Sequence, residues 1–346
     1  MRNTVFITGG CGFIGSALVR YLIQKTNSVV INVDKLTYAA NLKSVASVES
    51  SDRYFFENFD VCDESKMDSI FRRYRPNYVM HLAAESHVDN SIEKPAQFIE
   101  TNVMGTFTLL SSALRYWTSL QGEEKEKFRF LHVSTDEVFG DLPHPDHDPD
   151  AYSKKFLETS QYRPSSPYSA SKAASDHLVN AWGRTYLLPT LITNCSNNYG
   201  PYQNPEKLIP KTILSGANKS PIKVYGSGFQ IRDWLYVDDH VEILWAVLTR
   251  GKPNSRYNIG GRAELRNIDV VHKVCSILDK VFPYDGLHSD LITYVADRPG
   301  HDLRYAIDDS QMRKEFEWDN SRSFTDGLYT TVKWYLDNDD WYSAEI

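Results

Sequence analysis

The 346-residue chain predicts an α/β fold, a doubly wound parallel sheet carrying a smaller mixed α/β lobe. Short apolar runs alternate with amphipathic helical stretches through the first 200 residues, a glycine-rich turn follows the first run, and an acid closes the second. Apolar residues at 41% and charged residues at 24% are ordinary for a globular chain, and no apolar run approaches the roughly 20 residues of a membrane span. The formal charge of −7, with dispersed basic residues, argues against a nucleic-acid partner.

Taken in order, strands are expected at 4–8 (TVFIT), 28–34, 53–61, 77–83, 128–134 and 188–196. Their Val/Ile/Phe content and brevity suit parallel strands buried on both faces. Helices are expected at 13–25 and 67–75, and one long helix over 91–117 (SIEKPAQFIETNVMGTFTLLSSALRYW). Beyond about residue 195, Pro/Gly-rich loops separate short elements, as expected where loops carry binding groups. This divides the chain into a sheet domain at 1–190 and a substrate lobe at 191–346, with a helix near 238–250 returning to pack on the first domain. The acidic end, LDNDDWYSAEI, reads as solvated. Cys11, Cys62, Cys195 and Cys275 lack metal-ligand or disulfide spacing, which suits reduced thiols in the cytoplasm and predicts no metal site.

The turn FITGGCGFIGS (6–16) places Gly9, Gly12 and Gly15 between a strand and a helix start, where backbone N–H groups can approach a pyrophosphate. Asp34, 19 residues after Gly15 at a strand end, would accept hydrogen bonds from a ribose and repel a 2′-phosphate, so NAD is expected over NADP. Asp60 closes the third strand within reach of an adenine edge. Tyr168 and Lys172 are four apart and share a helix face, where an ammonium would favour the phenolate. In LHVSTDEVFG (131–140), two carboxylates follow a threonine. Neighbouring strand residues face opposite ways, so the strand must end or twist at Thr135 for Asp136 and Glu137 both to reach one substrate.

The glycine turn, the Ser-Thr strand end and the Tyr-x-x-x-Lys helix resemble the extended short-chain dehydrogenase/reductase family, whose sheet is Rossmann-like. Finer motifs at 34–42 (DKLTYAANL), 81–92, 134–140, 168–172, 194–210, 231–240 and 297–308 (DRPGHDLRYAID) resemble its dTDP-glucose 4,6-dehydratase branch over nearly the whole chain. That resemblance implies a dTDP-glucose substrate and an NAD that stays bound and is regenerated each cycle. It implies Thr135, Tyr168 and Lys172 as the oxidation site, Glu137 as base at sugar carbon 5 and Asp136 as acid at carbon 6. For the cofactor it adds Phe13, Ile14, Lys35, Leu36, Thr37, Val61, Leu82, Ala83, Ala84, Thr101, Ser134 and Asn198. For the substrate it adds Ser86, His87, Asn197, Glu206, Lys207, Leu208, Tyr225, Arg232, Asn267, Arg298, His301 and Tyr305, with the two arginines suited to a diphosphate. Cys11, Ala40, Phe139 and Leu303 depart from the family's usual residues, and none is a proposed catalytic group. The resemblance also implies a homodimer formed by two helices from each subunit. A 4-epimerase, a dehydratase of UDP- or CDP-sugars, and a non-catalytic NAD-binding regulator are the alternatives.

Overall fold

The computed structural model describes residues 2–342. The chain runs β1 (Thr4–Thr8), α1 (Phe13–Lys25), β2 (Val29–Asp34), β3 (Tyr54–Asn58), α2 (Glu64–Tyr74), β4 (Tyr78–His81), α3 (Val88–Glu93) and α4 (Pro95–Phe98). A π-helical turn at Ile99–Met104 leads into α5 (Gly105–Ser119), α6 (Gly122–Lys127), β5 (Arg129–Thr135), α7 (Pro167–Tyr186) and β6 (Thr190–Cys195). There follow β7 (Asn197–Tyr199), α8 (Leu208–Ala217), β8 (Ile222–Tyr225), β9 (Ile231–Tyr236), α9 (Val237–Arg250) and β10 (Ser255–Ile259). The last elements are β11 (Glu264–Arg266), α10 (Asn267–Val281), β12 (Ile292–Val295), α11 (Ser310–Phe316), α12 (Phe324–Asp337) and α13 (Asp339–Tyr342).

Seven strands form one sheet in the order β10-β6-β5-β4-β1-β2-β3, every neighbouring pair parallel. Side chains alternate across it: Val5 and Ile7 enter one apolar layer with α1 and α9, while Phe6 enters the other with α2 and α5. Order reverses between β1 and β4, which opens a crevice above the strand ends. Separate sheets, β11-β9-β7 and β12-β8, belong to a second lobe whose core joins Ile209, Trp234, Val270, Val274, Leu328 and Val332.

The expected six strands and both flanking helices are present. The large sheet nonetheless draws on both sides of residue 190: β6 begins at Thr190, and β10 arrives from 255–259 after α9 has packed back on α1. A five-residue segment such as SRYNI gives no sign of which sheet it will join.

Two expectations are corrected. The long helix over 91–117 is interrupted, because Lys94 precedes Pro95 and takes φ −132°, ψ 58°, outside the helical region. The acidic end is docked as far as it is described. Trp341 is 6% exposed, packs edge-to-face with Tyr202 and Trp334, and donates its indole N–H to Ser44 Oγ at 3.1 Å. Residues 343–346 of that segment lie outside the described residues. Among the described residues, no helix is long and apolar enough to cross a membrane and no His/Cys/Asp/Glu group could hold a metal ion.

Candidate active site

A cavity of about 300 Å³ lies over the crevice. Its floor is the turn between β1 and α1. Gly9 stands at φ +73°, where a Cβ would meet Ala83 backbone at 2.7 Å, and a Cβ on Gly15 would fall 2.0 Å from Gly9 O. Helix α1 starts at Gly12 with no side-chain cap and no acid in its first turn, so its orphan N–H groups face the cavity at the positive helix end. These features fit a dinucleotide pyrophosphate.

Asp34 ends β2, accepts from Cys11 N at 2.9 Å and Leu36 N at 2.8 Å, and lines the cavity. Burial raises its pKa, and the two amides oppose that. Lys35 bridges Asp60 at 3.1 Å and Thr101 at 3.2 Å. Phe13, Ile14, Thr37, Val61, Leu82, Ala83, Ala84, Thr101, Ser134 and Asn198 also line the cavity. Leu36 and Asp60 do not: Leu36 turns outward at φ +58°, and Asp60 is held by Lys35 and Cys62 N. Glu85, Gln203 and Asn204 contribute to the wall, and no sequence signal marked them.

Strand β5 stops at Thr135, and a 3₁₀ turn at Asp136–Phe139 takes over; Glu137 lines the cavity and Asp136 does not. Thr135 Oγ1 accepts from Glu137 N and donates to Asp136 Oδ1, each at 3.3 Å. Asp136 is 1% exposed, and its Oδ2 has no hydrogen-bond partner among the described residues. Burial, then Glu137 and Asp233, push its pKa well above the usual carboxylate value. Burial also raises Glu137, but Arg298, Arg232 and Lys207 hold it down. The environments thus push Asp136 upward harder than Glu137, whose carboxylate faces three cations.

Tyr168 and Lys172 both reach the cavity from α7. Their electrostatics differ from the expectation. Burial, followed by Glu137, Cys195 and Asp136, drives the Tyr168 pKa well upward, opposed by a hydrogen bond with Thr135. Lys172 instead directs Nζ to Val133 O at 2.9 Å and lies 3.4 Å from His132 Nε2. Helical spacing put the two side chains on one face without aiming the ammonium at the phenol.

Ser86, Asn197, Glu206 and Lys207 line the cavity with Glu137. Lys207 Nζ reaches Ser86 O at 3.2 Å, and His87 Nε2 lies 3.4 Å from Glu206. The remaining substrate candidates gather outside the cavity lining. Arg232 is 4% exposed, lies 4.2 Å over the Tyr305 ring and donates to Ile231 O and Asp302 O. Arg298 approaches Asp89 at 3.7 Å, and Tyr225 donates to Asp89 at 3.2 Å. His301 Nδ1 meets Asp297 at 2.6 Å, Asn267 N donates to Gln230 O, and Leu208 opens α8. Leu303 is 42% exposed, with its backbone N–H on Asp141.

The GDP-mannose 4,6 dehydratase family model matches residues 6–331. A dTDP-glucose 4,6-dehydratase of Shigella flexneri is 56% identical over 338 residues, 97% of this chain and 94% of that protein. Among solved structures, a dTDP-glucose 4,6-dehydratase of Streptomyces venezuelae with NAD bound superposes with a TM-score of 0.89 at 38% identity, covering 99% of this chain and 100% of that one. A UDP-glucose 4-epimerase of Thermotoga maritima reaches 0.82 at 26% identity, over 97% and 99% of the two chains. The fold is thus common to enzymes that epimerise and enzymes that dehydrate, and with identity above one half along nearly its whole length the chain belongs to the dTDP-glucose 4,6-dehydratase family.

Proposed function

We propose that the chain is an NAD-dependent dTDP-glucose 4,6-dehydratase, a hydro-lyase giving dTDP-4-keto-6-deoxy-glucose. The observation that carries this is the acid pair: Asp136 and Glu137 sit beside the oxidation site in different electrostatic settings. Bound in the groove, NAD accepts hydride from sugar carbon 4, returns it to carbon 6, and adds a positive charge that favours the Tyr168 phenolate.

Tyr168 takes the proton of the 4-hydroxyl while Thr135 holds the oxygen. The 4-ketone acidifies carbon 5, whose proton passes to Glu137. Asp136 delivers its proton to the departing 6-hydroxyl, and water leaves. Glu137, its proton exchanged with solvent, returns one to carbon 5 as hydride reaches carbon 6. The product keeps its ketone, so each turnover leaves Tyr168 one proton richer and Asp136 one poorer. The Thr135 hydroxyl, bonded to Tyr168 and 3.3 Å from Asp136 Oδ1, offers a route that restores both.

Arg232 and Arg298 serve the diphosphate, and Tyr225 the thymine, after exchanging their present partners for substrate. The chain works in the cytoplasm as a homodimer through α5 and α7. Ile99 and Met104 in the π-helical turn before α5, Phe107 on α5 and Tyr186 on α7 support this pairing, since each is 41–50% exposed. Light scattering tests the dimer. Incubation with dTDP-, UDP- and CDP-glucose in deuterated water, followed by mass spectrometry, tests the reaction. Loss of water from dTDP-glucose with deuterium at carbon 5 is expected, and formation of galactose alone from UDP-glucose would overturn the reading.

A further inference from the structure

Beneath the cavity lies a buried polar cluster that the proposed reaction does not use. Asp176, fully buried, follows Lys172 by one helical turn on α7. Its Oδ2 accepts from Ser134 Oγ at 2.9 Å, Tyr162 OH at 2.5 Å and Asn194 Nδ2 at 3.5 Å, while Oδ1 lies 3.2 Å from His132 Nε2. His132 in turn lies 3.4 Å from Lys172 Nζ. Asn194 also donates to Thr135 O at 2.9 Å, so one carboxylate is tied to the strand end bearing the oxidation site and to the neighbourhood of its lysine.

We propose that Asp176, with His132, is the positioning pair of Lys172: a buried counter-charge that keeps the ammonium ionised and directed at Val133 O beside the dinucleotide groove. This rests on the dehydratase reading for its catalytic meaning. An ammonium 4% exposed has lost most of its hydration, and an isolated buried lysine tends to shed its proton. Burial lowers Lys172 to about 8, against the opposing charges of Asp176 and Cys195. Asp176 stays ionised: burial would raise it, but the His132 contact, the Lys172 charge and the Tyr162 hydroxyl hold it below the usual value. The groups facing this ensemble are His132 and Ser134 from β5, Cys195 from β6, His81 from β4 with its ring 5.2 Å from that of His132, Arg256 from β10 over Tyr162, and Tyr168 on α7 itself. Among them Asp176 is the carboxylate.

The test is the titration of Lys172 itself, read by NMR in protein labelled with [ε-13C]lysine, its signal identified by its loss in Lys172→Arg. In Asp176→Asn the midpoint should fall by at least one pH unit, a tenfold loss of charged lysine at a given alkaline pH, and the alkaline limb of kcat should move with it. Asp176→Glu should restore much of both. An unchanged midpoint in folded Asp176→Asn overturns the proposal. Should that variant not fold, Tyr162→Phe decides: freeing Asp176 of one donor should leave the midpoint in place or raise it, and a fall overturns the proposal. If the wild-type protein does not dehydrate dTDP-glucose, the dehydratase reading fails while the titration still reports on the counter-charge.

Discussion

Replacing Asp136 by Asn removes one titratable proton and little else. The amide keeps the shape of the side chain and an Oδ1 for the Thr135 hydroxyl, now 3.3 Å away. Burial at 1% exposure and the facing Glu137 and Asp233 favour the protonated form of Asp136. An amide cannot protonate a leaving hydroxyl, so elimination should slow by about 10²–10⁴-fold, the usual worth of one general acid. That corresponds to about 2.7–5.4 kcal/mol of barrier. In the proposed reaction, oxidation at carbon 4 and proton exchange at carbon 5 depend on Tyr168, Thr135 and Glu137, so both should persist. In deuterated water, mass spectrometry should find unreacted sugar gaining deuterium at carbon 5 with little water lost. Elimination near the wild-type rate, or exchange lost in step with it, would refute the division of labour between the two acids.

Glu137→Gln should show the complementary pattern, with 4-keto sugar accumulating and deuterium at carbon 5 suppressed, checked in the same assay. Gly15→Ala puts a methyl 2.0 Å from a backbone oxygen; overpacking of roughly 1–3 kcal/mol should weaken NAD about 5- to 150-fold by calorimetry. His240 is fully buried and held neutral, its pKa lowered by burial to about 3. Stability from this depression is present above about pH 6.5 and is lost as pH falls toward 3, with slope of about 1.4 kcal/mol per pH unit; urea melts of His240→Gln should show a shallower loss. Trp341→Ala should cost about 3–5 kcal/mol in a urea melt, because the ring is buried among three other aromatic residues.

The sheet was legible because buried parallel strands write themselves as short apolar runs, as β1, β2, β4, β5 and β6 do, while β3 at the edge has no buried residue. Strand β10 was not, since Ser255 and Arg256 open it and its partner β6 lies some 60 residues away. At the site, residues with a backbone reason for their identity were legible: Gly9 and Gly15 by the tightness of the turn, Asp34 by its strand end, Asp136 and Glu137 by the break after Thr135. The direction of the Lys172 ammonium was not, because it depends on Val133, His132 and Asp176 meeting below the cavity. Asp176 shares Lys172's helix face and His132 alternates inward on β5, so the pattern was present but carried no label. Arg232 was legible in part: its charge suggested an anion partner, but not that its guanidinium would lie over Tyr305 with two of its N–H groups on the carbonyls of Ile231 and Asp302.

The indole of Trp341 on Ser44, together with the Asn41 amide on the Trp341 carbonyl, joins positions 297 and 300 residues apart. Asn41 N also holds Cys11 O, and Ala39 and Ala40 form part of the groove wall. During synthesis the strands that build the floor emerge early, and the segment that braces this wall follows Asn41 by 300 residues. The nascent sheet can form its core before the wall is fastened, and a chain halted before Trp341 would hold a groove with one side unbraced. Firm retention of the dinucleotide would then depend on Trp341 being in place, so a pulse-labelled protein should acquire NAD only after that residue has been made.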